Sequence, residues 1–435
     1  MTLGVAVALV SIFAMIALIY AGMHVGVVLT ILSFVSVWIM RGNFDVASNL
    51  LALSVADSIA DYNFGVIPLF VFMGFVVSAA NYGRDLFDVT NWMFRRVKGG
   101  LGVSTVAANA GFAAITGVSI ASASVFTRIA VPEMLRFGYN PRLAVGIVAG
   151  SSVLGMLIPP SVLMILYGIL TDVSIGKLFI AGIVPGVMLA VAFALAIMLA
   201  VHLKPDLIRP TEEEADDRMG LGTALAKIAP IVVMVGLVMG GIYGGYFTAT
   251  EAAGVGAGLS LVLAVAMRRL TWPSFWRLLV DTATVTSTIC FLLIAASLYS
   301  RMLAFSGVPN YFASWIAHSG FGFYGVLMIF IVVLLLFGAI LDSTSIMLIT
   351  VPIMFPILTS FGADPIWMGI LIIVAVEIGI ITPPVGIAVF VVHDTLARKD
   401  ISLGDVFIGV FPFVLIMMAV LALLVVFPQL SLMLL

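Results

Sequence analysis

The feature that most limits the fold of this chain is a succession of apolar segments, each about as long as a membrane is thick. A hydrocarbon core of about 30 Å needs about 20 apolar residues in a helix. Charged residues and Gly/Pro breaks divide the chain into six such blocks before a polar stretch and six after it. Only 9% of the 435 residues are charged, against about 25% in an average globular protein. The sequence therefore predicts an all-α polytopic membrane protein.

The blocks and the polar stretch define two units. The blocks cover 3–20, 25–40, 66–80, 101–134, 143–170 and 178–201, and then 228–243, 251–267, 282–303, 321–358, 366–396 and 406–427. Residues 204–218 carry nine charges in fifteen positions, which a lipid-facing helix would not tolerate. We predict a first unit at 1–202, an aqueous linker at 203–227 and a second unit at 228–435.

The charges and the single cysteine exclude several classes of protein. A formal net charge of −2 leaves no basic surface on which the phosphates of a nucleic acid could be neutralised. Cys290 is the one cysteine of the sequence, which excludes an intrachain disulfide framework and a thiolate metal cluster. We therefore expect the chain to interact with a lipid bilayer and with no nucleic acid.

The two halves repeat at an offset of 224 residues. The shift places Pro159 and Pro160 on Pro383 and Pro384. It also pairs Ser119 with Ser343, Pro132 with Pro356, Gly138 with Gly362, Pro141 with Pro365 and Gly155 with Gly379. One common offset that preserves so many prolines and glycines predicts an internal repeat.

Two blocks in each half do not form simple spans. Residues 101–134 are too long for one helix and contain the small polar run 116–124, and residues 321–358 are interrupted at 341–345. Each is predicted to be a re-entrant hairpin. A double proline then breaks the next helix in each half, because proline lacks an amide hydrogen and clashes with the preceding turn. Such backbone is tolerated at membrane depth only where it lines a cavity or a protein interface.

Without the hairpins, five full spans remain in each half, or ten in all. An odd number per half makes the second half enter from the opposite face, so the predicted repeat is inverted. Basic residues then collect on one side, which is cytoplasmic by the positive-inside rule: Arg95, Arg96, Lys98, Arg136, Arg142, Arg268, Arg269, Arg277, Arg398 and Lys399. The acidic segment 41–61 and both termini are predicted to lie outside.

Within each unit we expect the same order of parts. Scaffold helices occupy 1–98 and 228–303, a hairpin with a broken helix occupies 100–172 and 321–396, and a final helix occupies 178–201 and 404–428. Inverted repeats with broken helices of this kind are typical of secondary transporters. Ser and Thr hydroxyls with freed carbonyls suit a hard monovalent cation, and helix N-termini offer N–H groups to a carboxylate.

Several of these residues also have a plain structural interpretation. Serines and glycines often only allow close helix packing in membranes. Glu377 lies inside an apolar helix, where a carboxylate either serves function or bonds a neighbouring amide. Arg128 could attract a carboxylate or pair with an acid. Thr248 and Glu251 have the spacing of a capping box at a helix start.

The chain resembles a known family in its most distinctive segments. These are 115–123 (ITGVSIASA), 132–134 (PEM), 154–161 (LGMLIPPS), 174–179 (SIGKLF), 248–253 (TATEAA), 341–344 (LDST) and 377–386 (EIGIITPPVG). They resemble the large membrane subunit of tripartite ATP-independent periplasmic (TRAP) transporters, the DctM-like proteins, and the resemblance covers nearly the whole chain. The sequence departs from the usual family pattern at Val118, Val153, Ala249 and Ala375.

The resemblance implies sodium-coupled uptake of an organic acid, typically a carboxylate, across the bacterial cytoplasmic (inner) membrane. It implies two partners, a periplasmic substrate-binding protein and a small four-helix membrane subunit. It further implies an elevator motion, in which hairpins and broken helices move against a scaffold. No catalytic residues, and therefore no enzyme activity, are expected.

The resemblance also assigns candidate residues to the transport site. Its implied sodium ligands are Ser119, Ser122, Gly150, Ser151 and Gly155 in the first half, and Asp342, Ser343, Thr344, Gly379 and Thr382 in the second. The substrate is expected between these sets, near Ser119, Ser124, Arg128, Pro160, Ser345 and Pro384. Glu377 is the candidate coupling residue.

Three other functions remain open at this point. A self-sufficient sodium/carboxylate symporter would need no binding protein. A passive channel is disfavoured because broken inverted repeats favour alternating access. An intramembrane enzyme is disfavoured because the sequence contains neither HExxH nor GxSxG, and its four histidines are scattered over separate elements.

Overall fold

A computed structural model describes residues 2–209, 219–319, 322–398 and 400–435. The helices are α1 Leu3–Tyr20, α2 Val25–Arg41, α3 Phe44–Ala60, α4 Val66–Ala79, α5 Tyr82–Phe94, α6 Gly100–Thr116, α7 Ser119–Arg136, α8 Pro141–Ser152, α9 Leu154–Leu157, α10 Val162–Thr171, α11 Ile175–Leu203, α12 Leu221–Tyr243, α13 Ala249–Ala266, α14 Trp272–Ser306, α15 Val308–Ser319, α16 Phe323–Gly338, α17 Ser343–Ser360, α18 Pro365–Gly379, α19 Ile387–Leu396, α20 Leu403–Val426 and α21 Gln429–Leu432. Short 3-10 turns cover Tyr62–Gly65 and Pro205–Leu207.

The prediction of an all-helical multi-span membrane protein is confirmed. In the described part of the chain, nine helical segments are long and apolar enough to cross a membrane: Leu3–Tyr20, Tyr62–Ala79, Pro141–Thr171, Ile175–Leu203, Leu221–Tyr243, Ala249–Ala266, Trp272–Ser306, Ser343–Ser360 and Leu403–Val426. Their outward faces carry large apolar side chains, such as Phe13 on α1 and Leu199 on α11. These faces suit contact with lipid.

Local sequence signals fix many of the helix ends. Asn43 caps α3, Ser161 caps α10 and Asp364 caps α18, each by accepting a hydrogen bond from a backbone N–H of the first turn. The predicted capping box of Thr248 and Glu251 at the start of α13 is confirmed. Each of these ends is therefore determined locally.

The acidic segment 41–61 contains a helix that the search for spans did not find. Helix α3 buries Ala47, Ser54 and Ser58 on one side and exposes Asp45 and Asp57 on the other. These two acids interrupt its apolar sequence. At an offset of 224 residues, α3 corresponds to the N-terminal part of α14, and α4 corresponds to the C-terminal part. The two helices are separated by a 3-10 turn in the first half and are continuous in the second.

The bounds of two predicted segments also differ from the structure. Helix α12 begins at Leu221, so the linker is shorter than the predicted 203–227, and its residues 210–218 lie outside the described residues. Helix α14 has 35 residues and extends beyond the predicted span 282–303. Both predicted spans began just after a charged residue that the helix in fact includes, Lys227 in α12 and Asp281 in α14.

The helices pack in two groups. In one group, α4 packs on α13, while α14 packs on α2 and α4. In the other, α8 packs on α20, α7 packs on α8 and α19, and α16 packs on α18. The groups meet where α6 contacts α4 and α5 and where α14 contacts α17. Both helical hairpins, α6–α7 and α16–α17, therefore lie with both broken helices in the second group.

Candidate functional site

Each helical hairpin ends at a tip that lies against the broken helix of its own half. The first tip is 117–118, between α6 and α7, and the second is 339–342, between α16 and α17. Helices α8, α9 and α10 form the first broken helix, with a break at 158–161. Helices α18 and α19 form the second, with a break at 380–386.

Glycines allow this close approach in both halves. A Cβ on Gly155 would lie 2.9 Å from the backbone nitrogen and Cα of Ser119 at the first tip. A Cβ on Gly379 would lie 2.4 Å from the Cα of Gly338, at the end of α16. These distances are shorter than real Cβ contacts. The predicted pair Gly155 and Gly379 thus seats the two hairpins on their broken helices.

Backbone hydrogen bonds also connect the breaks to the tips. Val162 N donates to Gly117 O at 3.2 Å in the first half, and Val385 N donates to Ala339 O at 3.0 Å in the second. Because Pro160 has no amide hydrogen, Met156 O lacks its helical donor, and the Ser161 hydroxyl donates to it instead. The backbone groups freed by the double prolines are thus partly satisfied within the site.

The Glu377 carboxylate joins the two tips. It is 1% exposed, and its Oε2 accepts a hydrogen bond from Ser119 Oγ at 2.5 Å. Its Oε1 accepts from Ser343 Oγ at 2.9 Å. Ser119 is the first residue of α7 and Ser343 the first of α17, so the two serines paired by the 224-residue offset share one acid.

A second buried network lies under the first tip. Asn109 Nδ2 donates to Ser151 Oγ at 2.6 Å, and Ser122 Oγ donates to Asn109 Oδ1 at 2.7 Å. Ser151 Oγ donates in turn to Ile147 O at 2.6 Å. The network connects both arms of the first hairpin to α8. Asn109 is not among the predicted site residues, although an amide inside the apolar run 101–115 is a signal that could have identified it.

The second tip carries a carboxylate of its own. Asp342 caps α17 by accepting from Ser345 N at 3.1 Å and from Ser345 Oγ at 2.5 Å. The N-cap position of α7 is Val118, which has no side chain able to do this. The first N–H groups of α7 are therefore left without a side-chain cap.

The remaining predicted residues lie at different distances from this junction. Ser124, Thr344 and Thr382 are half-buried, and the Thr382 hydroxyl donates to Ile378 O at 2.6 Å. Gly150 lies against the ring of Phe413 on α20. Arg128 is exposed on α7, more than two turns beyond Ser119.

The two breaks differ in exposure. Pro159 and Pro160 are buried, whereas Pro383 and Pro384 are exposed. A crevice of about 420 Å³ runs from the second break along α19, lined by Val385, Ile387, Phe390, Val391, Asp394 and Thr395. In this conformation the second break is the one accessible from the surface.

The junction offers hard oxygen atoms rather than a transition-metal site. The oxygen atoms that could coordinate an ion are the hydroxyls of Ser119 and Ser343, the Glu377 carboxylate and nearby backbone carbonyls. No group of three or more His, Cys, Asp or Glu that could hold a metal ion is found in the described ranges. Glu377 has no ion-pair partner among the described residues. A small monovalent cation fits this chemistry, because hydroxyl, carboxyl and carbonyl oxygens are hard ligands.

Comparisons with known proteins agree with this architecture. Residues 12–430 match the family described as tripartite ATP-independent periplasmic transporter, DctM component. A C4-dicarboxylate TRAP transporter large permease protein of Pseudomonas aeruginosa is 34% identical over 88% of this chain and 88% of its own length. A sialic acid TRAP transporter large permease protein of Vibrio cholerae is 28% identical over 98% of this chain and 97% of its own.

A solved structure shares the fold at low sequence identity. The YdaH transporter of Alcanivorax borkumensis superimposes with a TM-score of 0.66 over 88% of this chain and 89% of its own, at 13% identity. At that identity the likeness concerns the fold alone.

Proposed function

Because the chain belongs to the DctM component family of tripartite ATP-independent periplasmic transporters, we propose that it is the large membrane subunit of a sodium-coupled importer of an organic acid. The observation that carries the proposal is the buried junction of Ser119, Glu377 and Ser343. Such a group of oxygen atoms, held at the meeting point of two hairpins, can bind a cation and sense its presence in both halves of the molecule.

We assign the cation sites to the two tips. The first site would use Ser119, Ser122, Gly150, Ser151 and Gly155, and the second Asp342, Ser343, Thr344, Gly379 and Thr382. The network around Asn109 supports the first assignment, because it holds Ser122 and Ser151 together. Asp342 and Glu377 support the second, because they place two carboxylates near it.

The substrate class is a carboxylate. The relatives from Pseudomonas aeruginosa and Vibrio cholerae are named for C4-dicarboxylates and sialic acid, and both of these substrates carry a carboxylate. The first turn of α7 has N–H groups without a side-chain cap, which suits an anion. The substrate would lie between the tips, near Ser124, Pro160, Ser345 and Pro384, with Arg128 at greater distance.

The mechanism we propose is an elevator within an inverted repeat of ten full spans. The group with the hairpins and broken helices would be the moving part, and the group around α2, α4, α13 and α14 the scaffold. The pairings α4–α13 and α2–α14 in one group, and α8–α20 and α7–α19 in the other, support this division, with α5–α6 and α14–α17 as the interface between the groups. The chain would lie in the bacterial inner membrane with both termini periplasmic.

Contacts near the linker support the proposed orientation. Asn140 N donates to Leu207 O at 2.8 Å, and Arg209 N donates to Gly138 O at 2.9 Å, so the linker begins beside the end of the first hairpin. Arg269 and Lys227 both pair with Asp85 of α5. These basic residues would mark the cytoplasmic face.

Partner dependence tests the proposal. The purified chain in liposomes is expected to take up no radiolabelled succinate or sialic acid until a small four-helix membrane subunit and a substrate-loaded periplasmic binding protein are added. The pairs native to each of the two relatives serve as probes, together with the cognate pair of this chain. Robust uptake by this chain alone would favour the second candidate, a self-sufficient sodium/carboxylate symporter.

A further inference from the structure

The strongest unexplained feature is that one carboxylate serves both hairpins. Glu377 belongs to α18, in the second half, yet its 2.5 Å hydrogen bond reaches Ser119 in the first half, 258 residues away. The 2.9 Å bond from Ser343 lies within its own half. All three side chains are buried, with exposed fractions of 5% or less.

The repeat makes this arrangement asymmetric. At the 224-residue offset the counterpart of Glu377 is Val153, which cannot accept a hydrogen bond. Each tip is seated by a glycine of its own half, Gly155 or Gly379, but the side-chain connection between the tips comes from Glu377. The two tips are therefore joined by an acid that only the second half supplies.

We infer that Glu377 is a positioning residue that clamps the two hairpin tips together. The inference rests on the proposed function in one respect, since only in a transporter do the tips carry linked binding sites. A carboxylate in a water-poor site keeps its two hydroxyl donors, because an oxygen left without a donor costs desolvation energy. A ligand that displaces either serine therefore loosens the other tip as well.

A cycle of substitutions tests the clamp on the purified full-length chain in detergent without substrate. Ser119→Ala and Ser343→Ala each remove one hydrogen bond of Glu377, so each is expected to lower the apparent melting temperature. In a Glu377→Ala background the same substitutions are expected to lose most of their effect, because the acceptor is absent. Full-size serine effects in that background would overturn the inference.

Conservative variants separate the clamp from general loosening of the core. Glu377→Gln offers one oxygen acceptor and one amide donor, so both serines keep a partner, and both serine effects are expected to persist. Val374→Ala is the matched control, because Val374 is buried on the same helix and touches neither serine by a hydrogen bond. If Ser119→Ala and Ser343→Ala lose their effect on the melting temperature in a Val374→Ala background as much as in a Glu377→Ala background, the clamp is contradicted.

A shorter acid covers the case in which Glu377→Ala does not fold. Glu377→Asp lacks one methylene and is expected to reach one serine but not both, so one serine effect should remain and the other should disappear. Both effects at full size would contradict the inference.

Sodium dependence of uptake, measured with all three components in liposomes, gives a readout that mere packing would not change. The Hill coefficient for sodium is expected to exceed one in the wild type and to fall towards one in Glu377→Asp. An unchanged Hill coefficient in Glu377→Asp would contradict the inference that Glu377 links sodium binding at one tip to the other tip. A wild type without sodium dependence would refute the proposed coupling ion, while the melting cycle would still decide the clamp.

Discussion

The two halves of the molecule keep the same backbone features and carry different polar groups. Gly155 and Gly379 occupy matching positions, and each lies against a hairpin backbone at a distance that leaves no room for a Cβ. In both halves a double proline breaks the helix that follows the hairpin. The backbone geometry of the hairpins therefore requires the same glycines and prolines twice.

Apart from the paired serines Ser119 and Ser343, the polar groups near the tips do not repeat. Asn109, Ser122 and Ser151 form a hydrogen-bonded network in the first half, and their counterparts are Val333, Ile346 and Ala375. The two carboxylates of the second half, Asp342 and Glu377, correspond to Val118 and Val153. The first half thus places neutral polar side chains near its tip, and the second half places two acidic side chains there. This difference teaches that a repeated backbone can carry different polar chemistry in its two halves.

The largest effect is expected where both halves are alike, at the seating glycines. Gly379→Ala should lower the free energy of unfolding by about 1–3 kcal/mol or more, because the added Cβ meets backbone atoms that cannot rotate away. Gly155→Ala should cost less, since its Cβ contacts are longer. Monodisperse yield and melting temperature in detergent measure both.

Gly236→Ala is the control for the seating glycines. A Cβ at Gly236 on α12 meets no atom within 4 Å, so this substitution should be neutral or slightly stabilising. Wild-type melting temperatures for both tip variants would show that the tips are not held by these contacts.

The next effect concerns the serines that repeat but share one acid. Ser119→Ala and Ser343→Ala each delete an oxygen and leave Glu377 with one donor, a loss of about 1–3 kcal/mol. The sodium concentration for half-maximal uptake should therefore rise about tenfold or more in both variants.

The control for the serine variants is Ser260→Ala. Ser260 is a buried serine of α13 whose hydroxyl donates to Ala257 O at 2.8 Å. It should leave the sodium dependence unchanged. If both tip variants also keep the wild-type sodium dependence, their serines only pack.

A smaller effect is expected when the neutral network of the first half is made to resemble the second. Asn109→Val leaves Ser122 and Ser151 without their amide partner and should lower stability by about 1–2 kcal/mol. Adding Ser122→Ala and Ser151→Ala removes the unpaired groups, so the triple variant should be less destabilised than the sum of its parts. Melting temperatures in detergent decide this, and strict additivity would argue against a connected network.

The smallest effect on activity is expected from a test of whether the halves are inverted. In a Cys290→Ala background, Asp206→Cys should be protected from an impermeant thiol reagent in intact cells, and Asn310→Cys should react. Both positions are exposed, so uptake should stay close to wild type. Labelling of Asp206→Cys with protection of Asn310→Cys would contradict the proposed orientation.

The sequence could predict the elements of the site because their causes are local. A proline lacks an amide hydrogen wherever it stands, so the double prolines identified both breaks. Long apolar runs identified the spans, although α3 was missed because Asp45 and Asp57 interrupt its apolar sequence. The polar runs at the two tips were likewise visible in the sequence, and the resemblance to the family assigned their serines to the site.

The amino-acid sequence by itself determined that this protein is helical, that it spans a membrane and that its two halves share their breaks and tips. Only the tertiary structure decided that Ser119 and Ser343 bond the same carboxylate and that Asn109 joins Ser122 to Ser151. Helix periodicity and covalent restrictions act over a few neighbouring residues and can be taken from the sequence directly. A hydrogen bond between residues 258 positions apart depends on how the whole set of helices packs, which no local pattern encodes.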